Sequence, residues 1–322
     1  MRNKKINMAV VFYGNKNQLS VNNQQFQDLK LLLSSFNLNK YDFNKGGANK
    51  LIDDFKKGKI DIVLKNSYGR VNEADIESFL DLHKVPYFGS GPQATFIGTS
   101  KFLSKEIFRL IKLPVAKDVL INRILWNQNK LSIIKKIKNN IGFPCIIKDA
   151  EGTDSRGIYI IKNYSDFIKK INRIIKKFRL ILVEEYIENC YETTCFVAGA
   201  NKLFAYEPIG IVLGNKFFSG KMKDKHLIQF EIPAKLPKNI IAKIKEVALK
   251  AHLALGCNDF SRSDILVKGK KIYLLEVDVH PGFRAKSATV LSLQCCGGSL
   301  NNIFFNFYKN KIEKSYGKDK RF

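Results

Sequence analysis

Arg262-Ser263-Asp264-Ile265-Leu266-Val267 and Ile272-Tyr273-Leu274-Leu275-Glu276-Val277-Asp278 read as two β-strands separated by a Gly269 turn. Glu276 and Asp278 stand at i and i+2 on a strand, so their side chains lie on one face. With the two strands as neighbours, Asp264 reaches the same face. Three carboxylates brought together repel unless something positive stands among them. A hard divalent cation such as Mg²⁺, which takes oxygen ligands and retains substrate phosphates, is the natural neutraliser. The competing reading is a set of solvated acids on an edge strand.

Two further stretches lie towards the N-terminus. Lys148 ends the apolar run Cys145-Ile146-Ile147 and is followed by Gly152-Thr153-Asp154-Ser155-Arg156-Gly157. Small and hydroxyl residues between two strands let backbone N–H groups approach a phosphate, and a nearby lysine adds charge. An ordinary polar hairpin reads the same way, and this is not a P-loop, since no Gly-Lys-Ser/Thr follows. Leu182-Val183-Glu184-Glu185-Tyr186-Ile187 ends a strand. Such an apolar hinge can take an adenine through its backbone, with an acid such as Glu192 for a ribose; an amphipathic strand end is the alternative.

Around these stretches the hydrophobic pattern divides the chain into three lobes. Residues 1–95 alternate strands (Ile6 to Tyr13, Ile60 to Leu64, Val85 to Ser90) with helices (Gln24 to Phe36, Ile76 to His83), which predicts a parallel sheet with crossover helices. Residues 96–185 predict a small α+β lobe with helices Lys101 to Lys112, Trp126 to Asn140 and Phe167 to Phe178. Its strands are Cys145 to Lys148, Ile158 to Ile161 and Leu180 to Tyr186. Residues 186–322 predict strands Thr194 to Ala198, Leu203 to Ile211 and Ile228 to Ile232, a Gly/Lys-rich loop from Gly214 to Lys225, and a helix from Lys238 to Leu255. The two acid-bearing strands, a short helix Ile303 to Tyr308 and a solvated basic tail from Lys309 to Phe322 complete this lobe.

Composition limits the classes. The chain has 322 residues, 45% of them hydrophobic, and a mean hydropathy of −0.17, an ordinary globular composition. No apolar run approaches the roughly 18 residues of a membrane span, and Met8 to Phe12 is too short for a signal segment. A cytoplasmic location is the expectation. Net charge is +26, from 55 basic and 29 acidic residues. The lysines are spread from end to end among abundant Asn and Ile, without the basic stripe and interleaved aromatics of a nucleic-acid surface. Cys145, Cys190, Cys195, Cys257, Cys295 and Cys296 form no CxxC and read as reduced, mostly buried thiols.

In order, the chain carries Gly98-Thr99-Ser100-Lys101, Gly142-Phe143-Pro144-Cys145-Ile146-Ile147-Lys148, the Gly152–Gly157 loop, Val183-Glu184-Glu185-Tyr186-Ile187, Arg262-Ser263-Asp264 and Glu276-Val277-Asp278-Val279-His280-Pro281-Gly282. This succession resembles the ATP-grasp superfamily, most closely the D-alanine–D-alanine ligases, from about residue 60 to about residue 305. The resemblance implies an ATP-grasp fold of mixed α/β and α+β lobes. It implies ATP between the second and third lobes, with Lys101 and Lys148 at the nucleotide, and Ser155 with Gly152 and Gly157 as a lid over the phosphates. Glu184 or Glu185, with Ile187, corresponds to the adenine hinge, and Glu192 to the ribose acid. Lys221 resembles the lysine that closes over the γ-phosphate. Asp264, Glu276 and Asp278 resemble the ligands of two Mg²⁺ ions, for which Mn²⁺ could substitute. Arg262 resembles the cation that stabilises the acyl-phosphate and tetrahedral species, and Ser287 the hydroxyl that takes the second substrate's carboxylate. The implied activity is ATP-dependent joining of two amino acids through an acyl phosphate, a peptide-type bond of the kind used in cell-wall synthesis.

The expected partners are small-molecule amino-acid substrates, with no nucleic acid, no membrane, and a homodimer left open. The alternatives are a non-catalytic ATP-binding ATP-grasp protein and a basic nucleic-acid-binding protein. Several positions depart from the family. Its Gly-Gly-x-Ser-x-Glu segment reads Tyr13-Gly14-Asn15-Lys16-Asn17-Gln18-Leu19-Ser20, and its His-Gly reads Lys65-Asn66-Ser67-Tyr68-Gly69. The metal motif ends in Asp278 instead of Asn, and Arg284 and Lys286 follow Pro281-Gly282. The first-substrate pocket therefore differs, and two added cations suggest an acceptor more acidic or larger than D-alanine.

Overall fold

The computed structural model describes residues 5–13, 19–66, 73–151, 157–212 and 229–318. Its first sheet is parallel throughout: β1 (Ile6–Phe12), β2 (Phe36–Asp42), β3 (Ile62–Lys65) and β4 (Tyr87–Phe88), in the order β2-β1-β3-β4. The crossovers are α1 (Leu19–Leu32), α2 (Gly47–Lys56) and α3 (Glu73–Leu82), as parallel pairing requires. The order reverses at β1, so the carboxyl ends of β1 and β3 flank a topological switch point, where open α/β sheets bind ligands. The helix expected to run to Phe36 stops at Leu32, and Phe36 opens β2. Phe36-Asn37-Leu38-Asn39-Lys40-Tyr41-Asp42 mixes polar and apolar residues because β2 is an edge strand: Phe36 and Tyr41 are buried in cores on opposite faces of the sheet, whereas Asn37 and Lys40 are exposed.

Helices α4 (Pro92–Thr99) and α5 (Lys101–Leu110) lead to the second sheet, β5 (Asp118–Asn122), β6 (Cys145–Asp149), β7 (Tyr159–Ile161) and β8 (Leu180–Glu185). It is antiparallel, in the order β5-β8-β6-β7. Helices α6 (Arg123–Asn140) and α7 (Tyr164–Ile174) cover one face, packing Trp126, Ile134, Phe167 and Ile171 against Ile121, Ile147 and Val183. Asn122 and Asn163 cap these two helices, each accepting a backbone N–H of the first turn.

The third sheet is antiparallel: β9 (Tyr191–Ala198), β10 (Phe204–Ala205), β11 (Ile209–Val212), β12 (Gln229–Glu231), β13 (Phe260–Lys268) and β14 (Lys271–Asp278). The single strand expected over Leu203 to Ile211 is two strands, β10 and β11, interrupted around Pro208, which lacks an N–H for the ladder. Helix α8 (Lys238–Ala254) covers one face through Ile240, Ile244 and Ala251. Helices α9 (Ala288–Cys295) and α10 (Leu300–Lys318) lie on the other side. There Phe304 and Phe307 pack against Phe88 of the first sheet and Phe260 of the third, so these two sheets share one core. The tail expected to be solvated from Lys309 is helical through Lys318, and Lys311 Nζ lies 2.9 Å from Asp259 Oδ2. Among the described residues no helix is long and apolar enough to cross a membrane. Cys145, Cys195 and Cys257 are buried, whereas Cys295 and Cys296 are exposed.

Candidate active site

The hairpin of β13 and β14 brings four of the expected residues to one face. Asp264 pairs with Glu276 and Arg262 with Asp278, in two cross-strand rungs separated by the Ser263–Val277 rung. A bulge beyond Asp264 puts Leu275 out of register and lets Glu276 face the acids while Leu274 stays buried. Gly269, at φ +58°, makes the turn. Arg262 bridges the acids: its Nε lies 3.2 Å from Asp264 Oδ1 and its Nη2 3.3 Å from Asp278 Oδ2. Burial disfavours the charge on Arg262, but Asp264, Asp278 and Glu276 together outweigh that cost and hold its pKa above the ordinary guanidinium value. Thr194 on β9 donates to Asp264 Oδ1 at 2.6 Å.

Glu276 is paired with a residue far away in the chain. Lys101 Nζ, at the N-terminus of α5, lies 3.1 Å from its Oε2. Ser100 caps that helix by accepting from Leu103 N, and Lys101 N donates to Ala150 O beside β6. One helical turn on, Lys105 points from the same face of α5 to a second ion cluster. Lys105 is fully buried and contacts Glu184 and Asp118, and Arg109 also contacts Asp118. Lys148 Nζ lies 2.6 Å from the other oxygen of Glu184. Register explains this: Ile146 pairs with Glu184, so Lys148, two residues along β6, projects to the same face. Burial would raise the Glu184 pKa, but Lys105 and Lys148 outweigh it and hold the carboxyl below its usual range.

Glu184 is thus committed to two lysines inside the sheet. Glu185, the next residue, is half-buried at the strand end, where its backbone N–H donates to Lys117 O and its carboxylate accepts weakly from Lys117 N at 3.5 Å. Ile187 is buried just beyond, and Glu192 is half-buried on β9. Gly157 is at φ +75°, where an added Cβ would meet Phe178 Cζ at 3.0 Å. Ser287 caps α9, its Oγ accepting from Val290 N at 3.4 Å. Arg284 and Lys286 are exposed. Gly152, Ser155 and Lys221 lie outside the described residues.

Hard carboxylate oxygens are the donor chemistry Mg²⁺ requires, and Asp264, Glu276 and Asp278 supply them on one face. Among the described residues no three acids, histidines or cysteines are grouped so as to hold a metal ion by themselves; Arg262 and Lys101 hold the three carboxylates in ion pairs. The donor set fits a cation held partly by substrate phosphates, whose charge would take over Lys101 and Arg262. Sequence reading missed Lys105, Asp118 and Thr194. The Lys101-x-x-x-Lys105 spacing on an amphipathic helix was the available signal for the first of these.

A family model described as "D-ala D-ala ligase C-terminus" matches residues 107–306. The chain is 32% identical over 259 residues to a D-alanine–D-alanine ligase of Syntrophobacter fumaroxidans, covering 79% of this chain and 81% of that one. It is 32% identical over 231 residues to one of Pelagibacter ubique, covering 70% and 72%. Among solved structures, a D-alanine–D-alanine ligase of Bacillus anthracis complexed with ATP superposes with a TM-score of 0.79 at 20% identity, covering 97% of this chain and 99% of that one. A D-Ala:D-Ser ligase of Enterococcus faecalis superposes with a TM-score of 0.77 at 20% identity, covering 95% and 100%.

Proposed function

The chain belongs to the D-alanine–D-alanine ligase family, and from that premise we propose that it joins two amino acids in an ATP-dependent reaction, releasing ADP and phosphate. The observation that carries this reading is the convergence of Asp264, Glu276, Asp278, Arg262 and Lys101 on one face at the seam between the second and third sheets.

A carboxylate is a poor acyl donor, and phosphorylation makes it one that an amine can attack. That step needs positioned positive charge more than a protein nucleophile. Lys101 and Lys148 are the residues to meet the nucleotide phosphates, Lys148 being oriented by Glu184. Glu185 and Ile187 fit the adenine edge and Glu192 the ribose, which leaves Glu184 its internal role. Gly152, Ser155, Gly157 and Lys221 complete the phosphate enclosure in this reading. Asp264, Glu276 and Asp278 would hold one or two Mg²⁺ ions, or Mn²⁺, whose charge would neutralise the transferring phosphoryl group. Arg262, on the same face, would supply a cation to the developing oxyanion. Ser287 offers its hydroxyl and the N-terminus of α9 to the acceptor carboxylate.

The lobes of this reading are residues 1–95, 96–185 and 186–322, with the nucleotide between the last two and a cytoplasmic location. D-Alanine is the first substrate to test. The full chain is incubated with ATP, Mg²⁺ and a panel of D- and L-amino acids, following phosphate release and product mass. Phosphate release that depends on an amino acid, with the matching dipeptide, supports the ligase. ATP binding without amino-acid-dependent turnover would overturn it in favour of a non-catalytic nucleotide-binding protein.

A further inference from the structure

Three described lysines are buried: Lys105 and Lys148 at the candidate nucleotide site, and Lys65. Lys65 ends β3, beside the switch point of the first sheet, with its side chain 2% exposed. Its Nζ lies 2.5 Å from Oε1 of Glu77 on α3, whose side chain is 1% exposed. The same oxygen lies 2.8 Å from His280 Nε2, and that nitrogen is 3.0 Å from Thr95 Oγ1 on α4. His280 sits two residues past Asp278, and its backbone N–H donates to Asp278 Oδ1 at 3.1 Å.

The turn after β14 is seated in a socket of the N-terminal half. An added Cβ on Gly89 would lie 3.2 Å from His280 Cε1, and one on Gly98 would lie 2.6 Å from Val279 Cγ1. Two glycines therefore leave space that Val279 and His280 fill. A buried ion cluster costs desolvation and is weak evidence for stability, so its presence here calls for a positional reason. Here it spans β3, α3 and α4 on one side and the strand end carrying Asp278 on the other.

We propose that Lys65, Glu77 and His280 are positioning residues: they hold the Val279-His280 turn in its socket, and through it the orientation of Asp278. This rests on the ligase reading with Asp278 as a metal ligand. None of the three is placed at the nucleotide, and each acts through the turn.

The test uses the full chain and the double variant Lys65→Met/Glu77→Gln, which removes both charges at similar volume. Lys65→Arg, which keeps the pair, is the conservative comparison. Binding of ADP is titrated by calorimetry with and without Mg²⁺, thermal unfolding is recorded, and turnover is measured. The double variant should unfold cooperatively and bind ADP alone like the wild type. Its half-saturating Mg²⁺ should rise and its kcat fall by about tenfold or more, the usual effect of losing a residue that orients a ligand. Lys65→Arg should stay near wild type. Wild-type Mg²⁺ dependence and kcat in the double variant would overturn the proposal. So would a loss of kcat that only tracks lost stability, with Mg²⁺ dependence unchanged. If the wild type itself joins no amino acids, the ligase reading fails on its own, while the Mg²⁺ titration with ADP still decides the positioning role.

Discussion

Lys148 Nζ lies 2.6 Å from Glu184 Oε2, with both side chains closed to solvent, and Glu184 is balanced on its other oxygen by Lys105. Glu184 thus holds both lysines, Lys105 is shared with Asp118, and Lys148 is left near the end of β6 where a phosphate would meet it. Lys148→Ala should weaken ATP binding by about tenfold or more, the worth of a charge-assisted hydrogen bond, and leave amino-acid affinity unchanged. Calorimetric titration checks this, and unchanged nucleotide affinity would refute the role. Lys105→Met, in contrast, should destabilise the fold by about 3–5 kcal/mol, because it leaves part of a buried ion cluster unpaired.

Glu276→Gln and Asp264→Asn should each lower kcat about 100-fold while circular dichroism stays that of the folded chain, since each removes a charged oxygen ligand and keeps its shape. The loss should be partly relieved at high Mg²⁺. Wild-type activity of either variant at limiting Mg²⁺ would remove these residues from the metal assignment.

Ser287 has two roles to separate. As the cap of α9 its Oγ accepts from Val290 N, so Ser287→Ala should cost about 1 kcal/mol of stability, whereas Ser287→Gly should cost only a few tenths. If the hydroxyl also takes the acceptor carboxylate, both variants raise the acceptor KM with little change in ATP binding. A KM that rises only in the less stable alanine variant would mean capping alone. Arg284 is exposed, so Arg284→Ala should affect acidic and neutral acceptors equally.

His252 of α8 is buried with its Nδ1 2.8 Å from Ser261 Oγ, and burial pushes its pKa down to about 4. The folded chain keeps this imidazole neutral, while the unfolded chain takes up a proton below about pH 6.5. Stability should therefore be full above about pH 6.5 and decline as the pH falls towards 4, by up to about 3 kcal/mol. Other groups also titrate in this range, so the check is the difference between wild type and His252→Gln in denaturation midpoints from pH 7 to 4. Parallel curves would show that His252 contributes nothing to the acid sensitivity.

Period-two and helical patterns along the chain were enough to place β1, β6, β8, β13 and β14, and with them the face carrying Asp264, Glu276 and Asp278. These strands are buried on at least one side, so their composition records their environment. Strand β2 was not legible, because an edge strand half in water carries Asn and Lys where a buried one carries Val and Ile. Helix α9 escaped for the opposite reason: its residues are apolar nearly all round, without a period, because it is buried on most sides.

The sequence by itself determined the order of motifs, the strand spacing of the acids and the family they belong to. Only the tertiary structure decided which charges meet. Lys101 reaches Glu276 across 175 residues, Lys105 reaches Glu184 across 79, and Glu77 reaches His280 across 203. A single chain position records what a side chain is, and in local periodicity which way it faces. Its partner over such separations is set by how the three sheets pack together, which no local pattern encodes. That packing makes Lys65 a buried ion-pair partner and gives Glu184, not Glu185, the task of holding Lys148.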